Sequence, residues 1–215
     1  MRIGSLGQLE HFLDKELGWR KRELTSLWFA VAGATETMKR VLCRAAVMLL
    51  YAHWEGFVKA AGKAYVQLVA RQGLPLAELS PNFIALGVRR RILDAGAARK
   101  MAPHIQLVEL FVKGLNETAR FSWKDSIKTR ANLTAKNLRD VLDTLGLDYT
   151  PYELKAKPVI DRLVHARNGI AHGNGLPIDE QDYRQLHNGI IELLDTLRSQ
   201  ISDAAARHLY RRSAA

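Results

Sequence analysis

The sequence predicts an all-α protein. Apolar residues recur at three- and four-residue steps along most of the chain. No stretch alternates apolar and polar residues as a half-buried strand would, and no internal repeat appears. Ser, Asp, Pro and Gly fall where the helical runs begin and end.

Ser5 followed by Gln8 resembles a capping box. A first helix then runs to about Gly33, carrying Leu6, Leu9, Leu13, Leu17, Leu24, Leu27, Trp28 and Val31. A second, long helix is predicted from residue 35 to about 72. Its expected core stripe is Met38, Val41, Leu42, Ala45, Leu49, Ala52, Phe57, Ala61, Tyr65, Leu68 and Val69, and Gly73 and Pro75 end it. Residues 74–131 read as a less regular basic insert. Within it, Ser80-Pro81 opens a short basic helix through "FIALGVRRRILDAGAARK", Pro103 opens another, and "RFSWKDSIKTRAN" reads as a loop or weakly ordered stretch. From Thr134 the helical period returns. "AKNLRDVLDTLGL" is closed by Gly146, and "YELKAKPVIDRLVHARNGIAH" follows, either starting or kinked at Pro158. Asp179 caps a last helix that is expected to fray at "HLYRRSAA". The expected architecture is one helical domain over residues 1–215. In it the two N-terminal and two C-terminal helices form an up-and-down bundle.

The 215 residues are 47% hydrophobic and 25% charged, an ordinary globular composition. Thirty-two Lys and Arg oppose 22 Asp and Glu, a formal charge of +10 that favours polyanion partners such as RNA, DNA or acidic protein surfaces. Cys43 is the single cysteine, in an apolar helical run. It excludes an intrachain disulfide and a cysteine zinc site, and it fits a reducing cytoplasm. The N-terminal stretch lacks the apolar core of a signal peptide, and "AAVMLLYA" is too short to span a bilayer, so no membrane partner is expected.

The stretch "ARNGIAHGNG", residues 166–175, asks why a helix should end on this set of polar residues. On a regular helix Arg167 and His172 point about 140° apart, whereas Asn168 and His172 share a face. One reading is plain helix termination. His172 then interacts with the helix dipole, Gly173 is the left-handed residue after the helix, and Asn174-Gly175 turns the chain. The other is a phosphoryl-transfer site. Cleaving RNA without a metal requires a proton-transfer group that works near neutral pH, which His supplies. It also requires a cation on the non-bridging oxygens, which Arg supplies. One such pair makes half a site, and two copies facing across a two-fold axis make a whole one.

"RLVHARNGIAHG", with its Arg-x-x-x-x-His motif at Arg167 to His172, resembles the HEPN superfamily of helical RNases and RNA-binding domains. "LLYAHWEGFVK", residues 49–59, is similar to the long early helix of one prokaryotic branch. "ANLTAKNLRDVLDTLGL" resembles the segment before the motif helix. The resemblance implies a HEPN-type helical bundle that dimerises to bring two motifs into one cleft. Its active members are metal-independent endoribonucleases of toxin and phage-defence systems, and other members keep the fold but only bind RNA or act beside a partner ATPase or nuclease. By position, Arg167 and His172 would be catalytic, Asn168 would position substrate or the His, and cleavage by 2′-hydroxyl attack would leave a cyclic phosphate. No cofactor and no metal is implied. An antitoxin or other defence-system protein is an implied partner.

Glu55 either orients Arg167 by pairing with it or faces solvent while Trp54 is core. His53 reads as a packing or surface residue. His165 lies two turns before His172, and no HExxH or cysteine pattern supplies the remaining ligands of a zinc site. Arg89, Arg90, Arg91, Arg99 and Lys100, then Arg120, Lys124, Lys128 and Arg130 with Phe121 and Trp123 among them, either track a phosphate backbone and stack bases or form a solvated basic face with packing aromatics. A protein-interaction bundle binding an acidic partner is the remaining alternative. The sequence carries no phosphate-binding glycine loop, no Gly-x-Ser-x-Gly elbow and no acidic metal cluster.

Overall fold

A computed structural model describes residues 2–124, 126–129 and 131–212. Helices α1 (Leu6–Ala32), α2 (Glu36–Arg71) and α8 (Glu180–Ala206) pack on one another, and α7 (Arg162–Ala171) lies on α2. Between them come α3 (Pro81–Ala97), α4 (Met101–Lys113), α5 (Ala135–Leu145) and the single turn α6 (Glu153–Lys155). Among the described residues there is no β-strand, only the isolated bridges Pro75 to Thr118 and Leu79 to Arg211. The bundle core is apolar, aliphatic with aromatic rings among the Leu and Ile side chains. Leu9, Leu13 and Leu24 of α1, Leu50, Trp54 and Phe57 of α2, and Ile190, Leu194 and Leu197 of α8 are all fully buried. Each such side chain stabilises the fold by about 1.5–3 kcal/mol relative to exposure.

Local chemistry sets the helix ends. The Ser5 hydroxyl accepts the Gln8 N–H (3.4 Å), and the Gln8 side chain reaches back to the Gly4 N–H (2.9 Å), one residue earlier than a strict capping box. Asp179 accepts the Asp182 N–H (2.7 Å) and so caps α8. Gly146 closes α5 at φ 67°. Cys43 is fully buried.

The first half of α2 faces the other way from expectation. Its buried face is Cys43, Ala46, Val47, Leu50, Trp54 and Phe57, whereas Met38, Val41 and Leu49 are 52%, 59% and 40% exposed, and Ala45 and Ala52 are exposed with them. Residues 38 to 52 are apolar on both sides, so periodicity alone cannot choose the core face. From Phe57 to Val69 the expected stripe is buried. For the same reason α2 has the length and mean hydropathy (1.3) of a membrane span, yet half of that apolar stretch is buried inside the protein.

The insert is more helical than irregular. Pro81 and Pro103 both sit in first turns, and α3 packs on α4 and α5. Among the described residues from Phe121 to Leu133 the backbone is irregular as expected, but Ile127 and Thr129 are buried. Pro158 neither starts nor kinks a plain α-helix. It lies inside a π-helical segment, Ala156–Asp161, that runs directly into α7. The wider turn accommodates a residue that has no N–H to donate. The C-terminal stretch also departs from expectation. Past Ala206 the Tyr210 ring is buried, its carbonyl accepts the Ser80 N–H (2.8 Å), and the Arg212 N–H reaches the Glu78 carbonyl (2.8 Å), so "HLYRR" is pinned rather than frayed. Residues 213–215 lie outside the described part.

Candidate functional site

The motif helix α7 ends in a Schellman arrangement. The Asn174 N–H bonds the Gly169 carbonyl (2.9 Å) and the Gly173 N–H bonds the Ile170 carbonyl (3.1 Å), with Gly173 at φ 76°. Leu176 folds back beside Gly169. Arg44 of α2 clamps the turn by donating from Nη1 to the carbonyls of Asn174 (3.0 Å) and Leu176 (2.9 Å). His172 is therefore the cap residue of a fixed helix end. It is exposed, and its ring makes no hydrogen bond among the described residues.

Arg167 is held on one side only. Its guanidinium lies over the Tyr51 ring of α2, 4.9 Å from the centroid. Nη1 donates to Asn168 Oδ1 (2.8 Å) and to Asn132 Oδ1 (3.1 Å). Both acceptors are neutral. Nη2 and Nε make no hydrogen bond, and no carboxylate stands within ion-pair distance, among the described residues. The half-buried cation keeps an open edge of its donor fork.

Tyr51 organises the far side. It is buried, and burial pushes its phenol pKa up, so it stays protonated. The hydroxyl accepts the Leu133 N–H (2.9 Å) and turns toward Asn132 Oδ1 (3.5 Å). Asn137 fastens Asn132 in turn, donating to its carbonyl at 2.6 Å. The segment before α5 is thus tied to α2 and to Arg167 through one Tyr and one Asn.

Glu55 does not pair with Arg167. It accepts from Thr129 Oγ1 (2.5 Å) and from Lys59 (3.0 Å), so it anchors the loop before Asn132 instead. Lys59 is one helical turn away and Thr129 delivers a buried hydroxyl, which leaves the carboxylate engaged before it can reach Arg167. Trp54 is core. His53 is buried, 3.0 Å from Glu23 and edge-on to Trp19. His165 shares the exposed face of α7 with His172.

The basic residues divide. Arg89, Arg90 and Arg91 are exposed on α3, and Arg120, Lys124 and Lys128 are exposed in the loop between α4 and α5; Arg130 lies outside the described residues. Arg90, Arg91 and Arg120 come together in a groove of about 890 Å³ floored by Leu76 and Val88, in which Asp94 and Glu117 also stand. This groove lies between α3 and the segment at Thr118, whereas α7 lies on α2. Phe121 stacks on Phe83 (6.1 Å), and Trp123 is half-buried beside Arg71 (6.0 Å), so neither is a free stacking platform. Tyr51, Asn132 and Arg44 were not singled out by the sequence reading. The one available signal was that Tyr51 and Glu55 sit one turn apart on the same face of α2.

A helical bundle whose penultimate helix closes on an Arg-x-x-x-x-His motif defines a HEPN domain. The model of the family described as RiboL-PSP-HEPN matches residues 15–203. The chain belongs to that family. No curated protein and no solved structure matches the chain.

Proposed function

We propose that this protein is a metal-independent endoribonuclease acting as a homodimer, with Arg167 and His172 of two copies facing one RNA phosphate. One observation carries the reading. Arg167 is oriented by a ring face and two neutral amides and, among the described residues, has no carboxylate to neutralise it, five residues before a solvent-facing His at a fixed helix end. A half-buried, uncompensated guanidinium attracts an anion more strongly than one in open water, because the surroundings screen it less. His172 would move the proton of the 2′-hydroxyl or of the leaving oxygen. Arg167 would hold the non-bridging oxygens with Nη2 and Nε, and Asn168 would keep Arg167 in place. The product would carry a 2′,3′-cyclic phosphate. Arg90, Arg91 and Arg120, with Arg89, Lys124, Lys128 and Arg130, would follow the RNA backbone outside the reacting centre. The apolar strip Met38, Val41, Ala45 and Leu49 on α2, one face round from Tyr51 and Arg44, is the surface through which a second copy would dock. A toxin or phage-defence role fits this chemistry, with an antitoxin or sensor protein as partner.

The test is RNA cleavage by wild type, Arg167→Ala and His172→Ala in EDTA. Wild type should cut, and each variant should lose at least about 100-fold. Cleavage that survives both changes, or that needs Mg²⁺, overturns the reading. A second reading is an RNA-binding or adaptor protein working with an ATPase or nuclease. It is favoured by the absence of a hydrogen bond between the Arg167 and His172 side chains within one chain. Under it, wild type cuts nothing, and Arg167→Ala weakens RNA binding instead.

A further inference from the structure

Helix α4 is apolar on two opposite faces, and only one is covered. Leu110 is buried, with Pro103 and Leu107 half-buried beside it against α3. On the other side Met101, Ile105, Val108 and Val112 are 70%, 51%, 60% and 71% exposed. Their spacing of four, three and four residues places them within about 60° of one another, directly opposite Leu110. A helix with two apolar faces normally buries both. Among the described residues this one packs mainly on α3 and on the turn that follows it. A narrow seam at alternating four- and three-residue steps is the surface another helix packs against, knobs into holes.

Charge selects the occupant. The hairpin from Pro81 to Lys113 carries six basic side chains, Arg89, Arg90, Arg91, Arg99, Lys100 and Lys113, against two carboxylates, Asp94 and Glu109. All eight are exposed. A second copy would bring one net-positive hairpin against another, which costs affinity. A helix with acidic flanks meets the opposite potential.

We infer that the outward seam of α4 is a docking site for an amphipathic helix of a partner protein, with apolar residues at heptad spacing and Glu or Asp on its flanks. The site is separate from the Arg167 motif and does not depend on nuclease action. Such a helix would lay its apolar stripe on Met101, Ile105, Val108 and Val112, while Arg99 and Lys100 at the N-terminal end of the seam meet its carboxylates.

The probe is a fluorescent three-heptad peptide with Leu and Ile on the seam and Glu on the flanks, compared with the same peptide carrying Lys on the flanks. Anisotropy with the full-length protein should show the Glu peptide binding and the Lys peptide at least tenfold weaker. Binding should weaken as salt rises. Hydrogen exchange should slow in residues 101–112 and stay unchanged in α7. Ile105→Glu with Val108→Glu should reduce binding at least tenfold, and so should Arg99→Glu with Lys100→Glu, which leaves the seam untouched. Equal binding of the two peptides overturns the inference, as does no binding of either at about 1 mM, where even the weakest useful contacts register. Self-association that Ile105→Glu/Val108→Glu abolishes would assign the seam to a second copy. Adsorption to phosphatidylserine vesicles abolished by the same pair would assign it to a membrane surface. Either result also overturns the inference.

Discussion

The guanidinium of Arg167 rests on the ring of Tyr51, 4.9 Å from its centroid, and the Tyr51 hydroxyl in turn accepts the backbone N–H of Leu133. One buried side chain on α2 therefore positions both the motif arginine and the segment that carries Asn132. Tyr51→Phe keeps the ring and removes the only hydrogen-bond partner described for the Leu133 N–H. A buried donor left unpaired costs about 1–3 kcal/mol. Urea denaturation should show a loss of that size for Tyr51→Phe. Tyr51→Ala also opens a cavity and should cost about 3–5 kcal/mol. No change in the Tyr51→Phe midpoint would mean that the hydroxyl is not holding the loop.

Helix α8 and the π segment approach each other at Gly189. A Cβ there would stand 2.7 and 2.8 Å from the two methyl carbons of Val159, too close without movement. Gly189→Ala should destabilise by about 1–3 kcal/mol, the overpacking term outweighing the gain in helix propensity. Gly96, in the last turn of α3, has nothing within 4 Å of its would-be Cβ. Gly96→Ala should therefore stabilise by about 0.5–1 kcal/mol. Thermal unfolding of the two variants should move in opposite directions.

Two histidines, His53 buried and His187 half-buried, make stability depend on pH. His53 is held below its ordinary pKa of 6.5 first by burial and then by Arg20, with the Glu23 carboxylate pulling the other way. His187, packed against Trp28 and Tyr183, is lowered by burial, with its hydrogen bond to Asn188 opposing. The unfolded chain takes up these protons first. Their contribution is therefore complete above about pH 6.5, and it is lost as pH falls from there through the folded-state pKa values. The slope is at most about 1.4 kcal/mol per pH unit for each histidine. Urea midpoints should fall between pH 7.5 and 5.5, and His53→Gln with His187→Gln should flatten that fall.

The parts of the fold legible in the sequence are those set by near neighbours. Ser5, Asp179, Gly146 and Gly173 each terminate a helix through contacts within a few residues, so local chemistry suffices to place them. The motif itself was legible for the same reason. What was not legible depends on which surfaces meet. Residues 38 to 52 offer two apolar faces, and only the approach of α1 and α8 decides which is core. Glu55 has several cations within reach in sequence terms, and a buried hydroxyl 74 residues away takes it. Asn132 reaches Arg167 across 35 residues, and nothing in "TRANLTAK" marks it out. The π turn at Pro158 reflects a compromise between a missing donor and helix continuity, which no residue pattern encodes.

The exposed strip on α2 is where the dimer reading is most directly tested. Met38, Val41, Ala45 and Leu49 lie on the side of α2 away from its buried face, next to the face that bears Tyr51 and Arg44. A second copy docked there would bring its own motif helix alongside the first. Val41 and Leu49 are 59% and 40% exposed, so Val41→Glu with Leu49→Glu should leave the fold intact by circular dichroism. Placing carboxylates in an apolar contact leaves charges without partners and should split the assembly. Sedimentation should show a dimer for wild type at micromolar concentration and a monomer for the double variant. RNA cleavage should fall with the dimer, by at least about 100-fold, although Arg167 and His172 are untouched. A wild type that sediments as a monomer while cutting RNA would break the link between symmetry and chemistry, and each chain would then have to hold a complete site of its own.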